Sequence, residues 1–219
     1  AAADQKASLL TSWHCIRISN GVQGPKTDGT SMRESWAALD EQGRLCIYSQ
    51  YQDHTISLVR YRIDGLNPEN LIGNQLWAFS AAAVCLDENR KISAIEMEDE
   101  ILTPELPFIA PDLIGADYDY TVLENTPSQY AVRIRFPADE TPAADELQTE
   151  IQFILNEEGL LQDLRDTVKD SEALSSLQLT FDQFNEVQLN LQEMNSLLDQ
   201  AAAGLLQPDQ RITTDFFAH

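Results

Sequence analysis

The chain has 219 residues, 43% of them hydrophobic, and a formal charge of -22 from 36 acidic against 14 basic residues. That length and apolar content suffice for a sizeable core and exclude a disordered chain. The charge excludes nucleic acid, whose phosphates require a basic surface, and disfavours an anionic membrane; its expected role is to keep the protein soluble and monomeric.

The first residues, Ala1 to Leu10, are read as a short helical segment. Ser12 to Ser19 is the first strand, ended by Asn20-Gly21 and a polar loop containing Gly24, Pro25, Asp28 and Gly29. Ser31 to Leu39 and Leu45 to Tyr51 flank Asp40-Glu41-Gln42-Gly43-Arg44, a hairpin loop with its glycine where a left-handed residue is usually required. Thr55 to Ile63 adds a strand with Val59, Tyr61 and Ile63 on one face, closed by Asp64-Gly65 and Asn67-Pro68. Leu76 to Val84 mixes alanine-rich helix propensity with strand-like aromatics. The turn Asp87 to Lys91 and the alternating run Ile92 to Met97 decide for a hairpin, with strand from about residue 75. The longest uncharged apolar run, Leu76 to Leu86, is about half the length of a membrane helix.

Thr103 to Gly115 carries Pro104, Pro107 and Pro111 and is read as a crossover, with one short helix over Pro111 to Ile114. It is the only candidate domain boundary. Tyr118 to Leu123 and Gln129 to Phe136 follow as a strand pair, the second placing Tyr130, Val132, Ile134 and Phe136 on one face and Ala131, Arg133 and Arg135 on the other. After an acidic loop over Pro137 to Glu146, Ile151, Phe153 and Leu155 alternate up to the turn Asn156-Glu157-Glu158-Gly159. Leu160 to Val168 leads back, Leu177, Leu179 and Phe181 alternate again, and Val187, Leu189 and Leu191 form a last strand-like run. Asn195 to Leu206 is read as a helix ended by Gly204 and Pro208, with Leu197, Leu198 and Leu205 covering apolar surface; helix and tail begin at about residue 193.

These elements add up to a mainly β (α+β) fold. The expectation is a large curved antiparallel sheet built of hairpins, half-barrel-like, with a few short helices covering one face, residues 1–219 forming a single β-rich domain. No βαβ alternation appears, so a doubly wound sheet with its nucleotide site is not expected. Such a sheet must cover its apolar face, and an incompletely covered face becomes a cavity. Val132, Ile134, Phe136, Phe153, Leu179 and Phe181 are the candidate ligand-binding residues; plain core is the commoner role for such stripes, and lining an apolar cavity the sharper one.

Catalytic and metal signals are weak. Cys15, Cys46 and Cys85 are an odd number with no CxxC and no histidine at metal-ligand spacing, so buried reduced thiols are expected. His14 and Cys15 are strand neighbours, which point to opposite faces and cannot act as base and nucleophile together. Glu96-Met97-Glu98-Asp99-Glu100 and Asp117-Tyr118-Asp119 lack the glycine-bearing loop of a calcium motif, and no carboxylate pair stands out for glycoside cleavage. No catalytic residue, metal or cofactor is assigned, and a non-enzymatic protein is expected.

The hairpin around Asn156 to Gly159 with its long returning strand, and the run Leu177-Gln178-Leu179-Thr180-Phe181-Asp182-Gln183-Phe184-Asn185-Glu186-Val187, resemble the C-terminal part of extracytoplasmic bacterial lipoproteins with the LolA-like half-barrel fold. The resemblance covers residues 147–191 and includes an aromatic-Asn-x-Val step at Phe184 to Val187. Two departures stand out: Ala1 to Leu10 is shorter than the family's opening helix, and Gln192-Glu193-Met194 replaces a proline after the last strand. The resemblance implies a curved sheet wrapped partly around helices, with an apolar groove that in some members carries a lipid or lipoprotein acyl chain. The expected function is thus a cell-envelope binding module for a lipid-like molecule, the alternative being an extracytoplasmic domain of a membrane-tethered regulator that recognises another envelope protein. The expected location is the cell surface or periplasm. The chain starts at Ala1, as a processed protein would, and a signal peptide or lipid anchor would then have been removed.

Overall fold

The computed structural model describes residues 10–22, 28–61, 81–97, 104–108, 119–135, 148–169 and 174–217. Among these, the strands are β1 Ser12–Val22, β2 Asp28–Leu39, β3 Leu45–Tyr51, β4 Ile56–Tyr61, β5 Ala81–Leu86 and β6 Ile92–Met97, then β7 Asp119–Asn125, β8 Gln129–Arg135, β9 Gln148–Asn156, β10 Leu161–Lys169 and β11 Leu174–Asp182. Among the described residues one helix, α1, spans Leu191–Ala202. The ladder order is β6-β5-β4-β3-β2-β1-β11-β10-β9-β8-β7. The mainly-β, hairpin-built antiparallel expectation therefore holds. The chain divides into two compact units, one gathering Ile16–Met32 and Pro107–Phe181, the other Arg33–Leu106 and Asp182–His219 with β1 up to Cys15.

In the first unit, turn chemistry sets the register. Asn156 Oδ1 accepts the backbone N–H groups of Glu158 and Leu160, both at 3.0 Å, and Gly159 takes the left-handed φ of 78° that only glycine adopts without strain. With the hairpin so closed, Val132 lies opposite Phe153, Phe153 opposite Leu164, and Leu164 opposite Leu179. The next row on the same face is Ile134, Ile151, Asp166 and Leu177. The opposite face carries Arg133, Gln152, Arg165 and Gln178 in register, and Glu150 lies 3.3 Å from the Nε of Arg133 and 3.0 Å from that of Arg135. One face is apolar and the other polar, the period of two expected for a half-buried sheet. Ile134 and Phe181 are fully buried, each contributing on the order of 1.5–3 kcal/mol of apolar burial.

The second unit covers both faces of its central strands. Cys46, Tyr48, Leu58, Val84 and Leu86 pack under Met194, Leu197, Leu198 and Ala201 of α1 and under Ile212 and Phe216 of the tail. On the other face Ala37, Leu45, Ile47, Val59 and Ala83 are also buried. Strands buried on both sides read as unbroken apolar runs, which is why Ala81-Ala82-Ala83-Val84 looked as much like helix as strand. At the β2–β3 turn, Asp40 accepts the N–H groups of Gln42 and Arg44 at 2.9 Å each and the Arg44 Nε–H at 2.7 Å, with Gly43 at φ 74°.

Four expectations are corrected. Asn20-Gly21 does not end β1: Thr30 Oγ1 donates to Asn20 Oδ1 at 2.6 Å, and the strand continues through both residues. Val187 to Leu191 is not a strand. Gln183 and Asn185 have positive φ values of 51° and 62°, the chain turns there, and Leu189 keeps a single bridge to Phe217. The helix then starts at Leu191, not Asn195, because the side chain of Asn190 caps it by accepting the N–H of Glu193. Leu205, expected on its buried stripe, lies beyond the helix end and is 67% exposed. The expected helices over Ala1 to Leu10 and Pro111 to Ile114, and the strand before Ala81, fall outside the described residues. Among the described residues no helix is long and apolar enough to cross a membrane.

Candidate ligand-binding face

The apolar face of β8 to β11 gathers the residues singled out from sequence. Val132, Ile134, Phe153, Leu179 and Phe181 all lie on it, and all are buried; Phe136 lies outside the described residues. Toward β7 the same face becomes exposed. Tyr120 lies opposite Ile134 and Val122 opposite Val132, yet Tyr120 is 42% and Val122 54% exposed. Tyr130, next to Val132 on the β8 stripe, is 37% exposed. An apolar surface thus runs from a closed core to an open edge within one unit.

At the other margin of this unit is a groove of about 430 Å³, lined by Ser19, Asn20, Gly21, Gly29, Thr30, Ser31, Asp166, Val168, Ser175, Ser176 and Leu177. Val168 and Leu177 continue the apolar face into it. Its other side is hydroxyl-rich: Ser19 Oγ and Ser31 Oγ are 2.7 Å apart. Two glycines are part of its lining. A side chain at Gly21 would press its Cβ to 3.2 Å from Ser175 Cβ, whereas one at Gly29 would meet nothing within 4 Å.

Asp166 is the anomaly of this face. It occupies the row Ile134, Ile151, Asp166, Leu177, where alternation requires an apolar residue. Its Oδ1 is buried and has no hydrogen-bond partner among the described residues. Burial pushes its carboxyl above the usual aspartate range. The strand Leu160 to Val168 was read correctly, but Asp166 was not singled out; the available signal was an acid at an apolar parity position, between Leu164 and Val168.

The second unit holds a separate polar cluster around His14, which is 4% exposed. Its Nδ1 lies 2.6 Å from Asp182 Oδ1 and its Nε2 3.0 Å from Glu34 Oε1, with the ring 5.0 Å from that of Trp36. Two carboxylates on one imidazole ring tie three chain segments together. Among the described residues, the ring's partners are these two acids and the Trp36 indole. All three cysteines are thiols, not disulfides, and burial pushes the Cys46 thiol up to about 12. No group of three or more His, Cys, Asp or Glu side chains is arranged to hold a metal ion among the described residues.

No family model and no curated protein matches the chain. Among solved structures, it is similar to a DUF1329 family protein from Desulfovibrio piger, with 10% identity, 82% of this chain and 87% of that one covered, and a TM-score of 0.32. It is also similar to a putative outer membrane lipoprotein-sorting protein domain from Vibrio parahaemolyticus, with 11% identity, 84% and 90% covered, and a TM-score of 0.29.

Proposed function

We propose that this protein is a non-enzymatic, extracytoplasmic binding module that holds a lipid-like apolar ligand against the β8 to β11 face, with Val132, Ile134, Phe136, Phe153, Leu179 and Phe181 as the wall behind it. One observation carries the reading: the buried stripe continues in register onto Tyr120, Val122 and Tyr130, which stay exposed. Apolar surface that continues a core and is left to water is what a ligand or partner covers. A net charge of -22 suits a monomer of the cell surface or periplasm that takes its ligand by burial and not by attraction to anionic lipid.

The test is native mass spectrometry of the gently purified protein, then organic extraction, alongside uptake of the fluorescent apolar probe N-phenyl-1-naphthylamine by wild type and Val122→Asp. A co-purifying lipid-like mass, with probe uptake weakened in the variant, is the expected result. A clean monomer mass with no probe uptake would remove the reading. The second reading, recognition of another envelope protein, is favoured by β7 alone: it is an edge strand with all seven residues exposed, open to pairing with an added strand.

A further inference from the structure

Asp166 is hard to explain as a structural residue. A carboxylate set in an apolar row, with one oxygen buried and without a hydrogen-bond partner among the described residues, opposes folding, because desolvating a polar group without a partner is costly. A leucine in its place would complete the row between Ile151 and Leu177. What distinguishes Asp166 from a packing fault is its position: it opens onto the groove beside Ser19, Ser31 and Ser175, with Gly21 and Gly29 also in the lining.

We infer that this groove is a head-group subsite for an alkylammonium amphiphile, with Asp166 as the counter-ion and the serine hydroxyls as additional acceptors. The inference deepens the proposed function and rests on the apolar face being a ligand surface. Four features select this chemistry. Asp166 Oδ1 needs a hydrogen-bond donor, and a primary ammonium brings three together with the compensating charge. The described lining contains no lysine or arginine to neutralise the acid. Val168 and Leu177 lead from the acid onto the stripe of Leu164, Leu179 and Phe153, so a chain attached to the head lies on apolar surface. The protein's strong negative charge draws a cation and repels fatty acids, sulfates and phosphates.

The experiment is isothermal titration calorimetry of the full chain with octylammonium, octyltrimethylammonium, 1-octanol, octyl sulfate and ethylammonium, on wild type, Asp166→Asn and Gly29→Leu. Asp166→Asn keeps the side-chain shape and removes the charge. Gly29→Leu adds a bulky side chain at a lining position where a Cβ would meet nothing within 4 Å. Octylammonium is expected to bind more tightly than the other three octyl probes. Asp166→Asn should weaken it about tenfold or more, the scale of a lost charge-assisted hydrogen bond, and leave 1-octanol unchanged; Gly29→Leu should weaken octylammonium as well. Equal octylammonium affinity in wild type and Asp166→Asn would overturn the head-group assignment, and octanol binding in that case would leave the apolar-face reading standing. Ethylammonium binding as tightly as octylammonium, with loss in Asp166→Asn, would support the Asp166 subsite while removing the apolar face as the ligand surface. Octyl sulfate or octyltrimethylammonium matching octylammonium would also overturn the assignment, since neither supplies the N–H donors.

Discussion

Val132→Asp and Arg133→Asp place the same side chain at adjacent positions of β8 and should differ sharply. Val132 is 4% exposed, between Val122 on one neighbouring strand and Phe153 on the other. Replacing it loses about 1.5–2 kcal/mol of apolar burial. The new carboxylate then has no donor on that face, which adds roughly 3 kcal/mol whether it stays charged or takes up a proton. The sum, about 4–5 kcal/mol, is a large share of the roughly 5–15 kcal/mol that stabilises a typical domain. Arg133 points the other way, its side chain 31% exposed and its Nε 3.3 Å from Glu150. Arg133→Asp trades a half-solvated ion pair for repulsion from Glu150, at a cost of about 1 kcal/mol. Urea unfolding followed by far-UV circular dichroism reads both. Val132→Asp should be unfolded or strongly shifted to lower urea, and Arg133→Asp only slightly shifted. Costs within 1 kcal/mol of each other would refute the register of β8 against β9 and the assignment of its two faces.

Asp40→Asn should destabilise the second unit by about 2 kcal/mol at neutral pH, since a carboxylate holds the hairpin N–H groups and the Arg44 guanidinium more strongly than an amide does. Burial works to raise the Asp40 carboxyl, but the Arg44 and Gln42 hydrogen bonds hold it below the usual range. Its stabilisation is therefore present above the unfolded-state value of about 3.9 and lost as pH falls through the lower folded value, so the gap between wild type and variant in thermal melts should close below about pH 4. The thiols should differ in reactivity. Cys15 and Cys46 are buried and Cys85 is only partly so, so iodoacetamide at pH 8 should modify Cys85 first, and all three only in urea, as mapped by peptide mass spectrometry. Rapid labelling of native Cys46 would contradict its place under α1.

Much of the fold was legible locally. Period-two alternation in β8, β9 and β11, and the turn residues Asp40, Gly43, Asn156 and Gly159, each act within a few positions of themselves, so their consequences can be read without knowing what lies across the sheet. The same locality placed Val132, Ile134, Phe153, Leu179 and Phe181 on one face. It failed where distant residues decide. β5 is buried on both sides, so its alanines show no alternation; α1 begins at Leu191 because Asn190 caps it and the tail gives it a surface to pack on. Asp166 acquires meaning only when register sets it between Ile151 and Leu177 and beside the glycines of β1 and β2. His14 gathers Glu34 from 20 residues away and Asp182 from 168. The sequence by itself determined strands, turns and face, because these depend on near neighbours. The tertiary structure alone decided which polar groups are left facing apolar surface, because burial belongs to the assembled sheet.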